Sequence, residues 1–215
     1  MEYIGSGRQT PARVPPTLVG VGQLPDNFER IAVPPTRTWH AWVLSDHYEP
    51  VASAGGRCRT YLGDLVYRAK YCEDRRALDS LLTAIRHCVL QLQQLPRRID
   101  ALGAVTAVMA VPCNPPKPVS LPHEIAAVAA AALGVPDFSS EVVKTRQTRA
   151  AKTNPGLHSE AYEVRGHLNG EFVLLVDDLY HTGTTLESVA LQLRAAGAAH
   201  VVGLCVTKAH QGMSP

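Results

Sequence analysis

Residues 172–186, FVLLVDDLYHTGTTL, constrain the fold more than any other stretch of this chain. Phe172 to Val176 is an unbroken apolar run, short and aliphatic enough for a strand buried on both faces. Two adjacent carboxylates follow, Asp177 and Asp178, and then a turn over His181, Thr182, Gly183, Thr184 and Thr185. Beyond it Leu186, Val189, Ala190 and Leu193 share one helical face, and Gly197 stands where a helix would stop. The layout is strand, acidic tip, hydroxyl-and-glycine loop, helix start.

Each part has a chemical use. Gly183 lets backbone approach a ligand without a Cβ in the way. The N–H groups at a helix start, with the positive end of its dipole, favour phosphate. Thr182, Thr184 and Thr185 add hydroxyls around the same anion. A paired Asp suits vicinal hydroxyls or a hydrated Mg²⁺. Together these read as a cradle for a phosphorylated sugar. The bland alternative is two charges solvating a strand end beside an ordinary turn, but charges closing so apolar a strand are seldom idle.

The stretch resembles the phosphoribosyl pyrophosphate (PRPP) motif of type I phosphoribosyltransferases, which has the same order of strand, acidic pair, Thr-Gly-x-Thr loop and helix. In open α/β sheets this end of a strand is where ligands bind.

The rest of the chain fits an α/β sheet. Helical spacing is expected over Leu62, Leu65, Val66 and Ala69, ending in Lys70-Tyr71, and again over Leu78, Leu81, Leu82, Ile85, Val89 and Leu92. Residues 104–111, AVTAVMAV, read as a second buried strand running into Pro112, Cys113, Asn114 and Lys117. A helix from Pro122 to about Leu133 is closed by Gly134. Short strands are expected at 141–144, 161–167 and 200–206, with a basic loop carrying Arg146, Arg149 and Lys152 between the first two. Residues 1–50 are rich in Pro and Gly, and their strand-like piece, 39–44, brings Trp39 and Trp42 either to the core edge or to a lid. Strands and helices alternating with short connections predict a mostly parallel sheet covered on both faces. Residues 1–50 are set apart as a Pro/Gly-rich N-terminal segment and part of a hood, and residues 51–215 as the α/β domain.

Composition excludes more than it selects. A net charge of +2 is too small to argue for nucleic acid or a membrane surface. Cys58, Cys72, Cys88, Cys113 and Cys205 never form a CxxC pair, which speaks against a zinc ribbon or a disulfide framework and for a reducing compartment. No apolar run approaches a membrane span and no signal pattern follows Met1, so a cytoplasmic protein is expected. A P-loop enzyme is excluded because no Gly-Lys-Ser/Thr triplet occurs.

The similarity extends from about residue 50 to 208. Residues 61–71 ending in Ala69-Lys70-Tyr71, Val111-Pro112 after a buried strand, and the basic loop after Val143-Lys144-Thr145 come in the order of the competence protein F (ComF)-like phosphoribosyltransferases. This chain departs from them in lacking the cysteine-rich zinc ribbon at its front, and in carrying Glu160 and Glu163 where basic or amide groups would stand. The resemblance implies a type I phosphoribosyltransferase-like parallel sheet flanked by helices, with a small hood. It implies that Asp177 and Asp178 are the catalytic carboxylates, holding ribose hydroxyls directly or through Mg²⁺-bound water. His181, Thr182, Gly183, Thr184 and Thr185 would hold the 5-phosphate, and Pro112, Cys113, Asn114, Lys117, Lys70 and Arg146 the pyrophosphate. Lys70 also reads as a simple helix cap, His181 as an exposed turn residue, and the basic loop as a solvated one. Tyr48, Trp39, Trp42 and Tyr180 are candidates to stack on a flat acceptor.

The expected function is Mg²⁺-dependent transfer of the phosphoribosyl group of PRPP to a nitrogen nucleophile, with release of pyrophosphate. The alternatives are a non-catalytic PRPP or nucleotide sensor and a DNA-uptake accessory. Expected partners are PRPP and a small-molecule acceptor, with neither membrane nor nucleic acid, and relatives imply a homodimer.

Overall fold

The computed structural model describes residues 29–32, 40–50, 57–94, 105–113, 120–145 and 161–209. In chain order the strands are β1 (Glu29–Ala32), β2 (His40–Asp46), β3 (Tyr48–Pro50), β4 (Arg57–Arg59), β5 (Ala107–Ala110), β6 (Val142–Lys144), β7 (Tyr162–Val164), β8 (Phe172–Tyr180) and β9 (His200–Lys208). The helices are α1 (Tyr61–Tyr71), α2 (Arg75–Gln93), α3 (Leu121–Leu133) and α4 (Thr184–Ala195). Five strands form the main sheet in the order β1-β2-β9-β8-β5. Every neighbouring pair is parallel except β1 with β2.

Alternation along the central strands divides the apolar residues between two cores. Leu174 and Val176 of β8 face Leu65, Val66, Leu81, Ile85 and Ile125 from α1, α2 and α3. Val173 and Leu175 face Leu186, Val189 and Leu193 of α4 on the other side. A strand walled on both faces needs the continuous apolar run that 172–176 supplies. Trp42 is 4% exposed and packs into the first of these cores, as one of its two expected roles had it. Cys88 is buried there too, and burial pushes its thiol up to about 11, leaving it inert.

Two expectations are corrected. The strand does not stop at Val176 but continues to Tyr180, so Asp177 and Asp178 lie within it. Its extension is held by β9, where Asp177, Leu179 and Tyr180 pair with Cys205, Thr207 and Lys208. The strands at 142–144 and 162–164 stay outside the main sheet and pair with each other, antiparallel, as a two-stranded ribbon.

The strand lengths create an opening. β5 ends with Ala110 opposite Val176, and the Val111 N–H still reaches the Val176 carbonyl at 2.8 Å. Past that point β8 has β9 on one side and no β5 on the other. The gap lies at the carboxyl ends of parallel strands, where open α/β sheets place their ligands.

Candidate functional site

Because Asp177 and Asp178 are neighbours in a strand, they point to opposite faces of the sheet. They therefore straddle β8. The Asp178 N–H donates to Asp177 Oδ1 at 2.8 Å, which fixes the first carboxylate against the backbone. Asp178 follows Val176 toward the face of α1 and is 3% exposed. Its Oδ2 lies 2.6 Å from Lys70 Nζ.

Lys70 reaches that position from the last turn of α1, and α1 is fixed at its other end. Thr60 caps the helix, its hydroxyl accepting from the Gly63 N–H at 3.0 Å and donating to the Asp46 carbonyl. Gly63 lies beneath the His47 carbonyl, with no room for a Cβ. Arg68, the other cation of that last turn, is committed to Asp74 at 2.5 Å and Asp64 at 3.6 Å. Buried His47 is bonded through Nδ1 to Thr207 Oγ1 at 3.1 Å. Burial first, then the Arg59 charge, hold its imidazole below the ordinary value.

Electrostatics at the pair follow from enclosure. Burial, and then the Asp178 charge beside it, push the Asp177 carboxyl well above the usual carboxylate range, with Lys70 opposing. Burial pulls the Lys70 ammonium down, but its contact with Asp178 more than reverses this and the net direction is up. Cys205, opposite Asp177 in β9, has its thiol raised by burial and then by both carboxylates.

The loop after β8 turns at Gly183, whose φ of 80° is left-handed and favours glycine. Thr182 and Thr184 share a hydroxyl–hydroxyl bond of 3.0 Å at the start of α4. Here lies a small cavity of about 130 Å³, lined by Asp177, Leu179, Tyr180, His181, Thr182, Gly183, Thr185 and Leu186. A larger cavity, about 660 Å³, opens on the other side, with Lys70, Pro112, Cys113, Ser120, Lys144, Tyr162, Asp177, Asp178 and Thr185 in its lining. Asp177, Leu179 and Thr185 are common to both.

Most of the residues expected at the site thus meet. Asp177, Asp178, Lys70, Pro112, Cys113 and Thr185 line the larger cavity, and His181, Thr182 and Gly183 the smaller. Asn114, Lys117, Arg146, Arg149, Lys152 and Trp39 lie outside the described residues. Lys70 is neither a bare helix cap nor a free cation but the partner of Asp178. Of the candidate stacking aromatics, Tyr48, Trp42 and Tyr180 do not line the larger cavity. Trp42 and Tyr180 are core residues, and Tyr48 packs edge-on against His47 with Arg59 5.9 Å from its ring centre.

Three contributors escaped the sequence reading. Tyr162 lines the larger cavity beside Thr185, and burial, then Asp177, push its phenol up to about 12. Lys144 sits 5.4 Å from the Tyr162 ring centre, and burial lowers its ammonium although nearby Cys113 opposes this. Tyr71 lines the larger cavity and is 56% exposed. A tyrosine beside a glutamate in a polar stretch, or at a helix end, gives no local sign of a cavity wall.

Among the described residues no group of three or more His, Cys, Asp and Glu stands ready to hold a metal by itself. The carboxylates still fit Mg²⁺, because that ion keeps several waters and takes one or two carboxylates together with substrate oxygens. No described helix is long and apolar enough to cross a membrane.

No family model matches this chain, and no curated protein matches it in sequence. Among solved structures it is similar to an adenine phosphoribosyltransferase, with a TM-score of 0.44 and 16% identity over 76% of this chain and 84% of that one. It is similar to the Trypanosoma brucei adenine phosphoribosyltransferase solved with AMP, pyrophosphate and ribose-5-phosphate, with a TM-score of 0.43 and 15% identity over 85% and 86%. For the orotate phosphoribosyltransferase of Aeropyrum pernix the TM-score is 0.37 and the identity 19%, over 76% and 74%. Scores and identities this low leave the functional reading to the residues of the site.

Proposed function

We propose that this chain is a Mg²⁺-dependent phosphoribosyltransferase, taking PRPP and passing its phosphoribosyl group to a nitrogen nucleophile. The observation that carries the reading is the meeting of two unequal cavities at Asp177. One is small, hydroxyl-lined and set at a helix start. The other is large enough for a diphosphate and an acceptor together.

In this reading the 5-phosphate occupies the small cavity against His181, Thr182, Gly183 and Thr185, with the Thr184 hydroxyl bonded to Thr182 beside it. The dipole of α4 and the threonine hydroxyls stabilise its charge. The ribose lies over Asp177 and Asp178, which accept from its hydroxyls. The diphosphate faces Pro112, Cys113, Lys70 and Lys144 across the larger cavity. A nitrogen lone pair forms the new bond at C1 as the C1–O bond breaks, and the bonding electrons leave with pyrophosphate. The residues orient the ring, exclude water and hold the departing charge. Asp177 and Asp178 would hold Mg²⁺ through bound water, and the ion would neutralise diphosphate charge.

Calorimetric titration with PRPP and Mg²⁺ tests the reading. The Asp177→Asn, Asp178→Asn double variant is expected to lose binding by roughly a hundredfold or more. Undiminished affinity would refute it. Pyrophosphate release should appear with at least one member of a panel of nucleobases and amines; tight binding with no turnover would indicate a sensor instead.

A further inference from the structure

A carboxylate as enclosed as Asp178 is strongly destabilised unless a cation stands against it. In the free chain that cation is Lys70, at 2.6 Å. Three neighbouring groups among the described residues are spoken for or buried. Arg68 is held by Asp74 and Asp64, and Arg59 stacks on Tyr67 with its guanidinium carbon 3.5 Å from the ring centre. His47, also within electrostatic reach of Asp178, is kept toward its neutral form by burial. Lys70 differs from these in standing at the cavity wall, on the last turn of a helix, with a side chain still 35% exposed. It has a place to move to.

We infer that Lys70 is a resident counter-ion that closes the carboxylate pair to a bare divalent cation and releases it only when a diphosphate arrives. The ammonium and a hydrated Mg²⁺ compete for Asp178, since both neutralise one carboxylate in one enclosed space. A diphosphate in the larger cavity offers Lys70 a new anionic partner and brings oxygens to complete the metal's shell. Metal and diphosphate therefore load together, and Lys70 is the residue that couples them. The inference rests on the assignment of Asp177 and Asp178 proposed above, and extends it to the state before substrate.

Mn²⁺ is the probe, with the free ion followed by electron paramagnetic resonance in the presence and absence of PRPP. Wild type is expected to take up Mn²⁺ only with PRPP. Lys70→Met is expected to bind Mn²⁺ alone at least about tenfold more tightly than wild type, because no ammonium then competes for Asp178. Lys70→Arg, which keeps the charge, is expected to behave as wild type. Equal Mn²⁺ affinity of wild type and Lys70→Met without PRPP overturns the inference. Should the Met variant not fold, Lys70→Gln gives the same comparison, and wild type binding Mn²⁺ equally with and without PRPP overturns it directly. Mn²⁺ uptake gained by Lys70→Met while neither protein binds PRPP would sustain the counter-ion role and refute the phosphoribosyl reading. PRPP binding with no Mn²⁺ difference between the two proteins would do the reverse.

Discussion

Asp177 is held at a cost to the free protein. In the unfolded chain its carboxyl titrates near 3.8, and folding raises it well above that by burial and by the Asp178 charge. Between those two values the native state binds the extra proton, so stability falls as pH rises through that window. Asp177→Asn keeps an oxygen for the Asp178 N–H and removes the ionisation. We expect it to stabilise the ligand-free protein at neutral pH and to flatten its stability profile above the ordinary carboxylate range. Urea unfolding of both proteins between about pH 4 and 8 checks this, and parallel profiles would contradict the burial account. The same shift predicts that PRPP affinity rises with pH, because a site built to hold Mg²⁺ and hydroxyls needs the carboxylate ionised. The acidic pair was conspicuous in the sequence. Its cost was not, because that cost comes from burial by elements remote in sequence and from the Asp178 charge beside it.

Elements decide where those side chains go, and α1 shows how narrow the tolerance is. A Cβ on Gly63 would overlap the His47 carbonyl oxygen and stand 3.0 Å from Thr60 Oγ1. Alanine improves helix propensity by about 1 kcal/mol, and the overlap with backbone costs about 1–3 kcal/mol. Gly63→Ala is expected to lower stability in urea, and to weaken PRPP binding by displacing Lys70 at the far end of the helix. A stability gain would show that α1 is not seated against β2 as described. On the opposite face, Tyr162→Phe removes only a hydroxyl from the cavity wall it shares with Thr185. It should change stability by no more than about 1–1.5 kcal/mol while lowering affinity for inorganic phosphate, read by calorimetry. Helices were the legible elements, because α1, α2 and α3 carry their apolar stripes and caps locally. The overrun of β8 to Tyr180 was hidden because two charges end its apolar run and pairing with β9, remote in sequence, sustains it. The β6–β7 ribbon was hidden because its strands are short and separated by the basic segment, so nothing nearby announces their pairing.

At the scale of the whole molecule, the site joins layers packed on opposite faces of the sheet. Lys70 and Asp178 belong to the α1–α2–α3 side, and Asp177, Tyr162 and the start of α4 to the other. A ligand filling both cavities would tie the two helical layers together across the tip of β8, whereas inorganic phosphate in the small cavity would engage one layer. The alternating pattern of the chain foretold two layers, but not that a crevice would open where β5 falls short. Binding to the native state alone raises stability by about 2.7 kcal/mol at a hundredfold excess over Kd. PRPP with Mg²⁺ is therefore expected to raise the unfolding midpoint and to slow amide exchange in both the last turn of α1 and the first turn of α4. Phosphate alone is expected to protect α4 and leave α1 unchanged. Hydrogen exchange read by mass spectrometry separates the cases: protection by PRPP confined to α4 would mean that the α1 wall of the larger cavity takes no part in holding it, and that Lys70 never leaves Asp178.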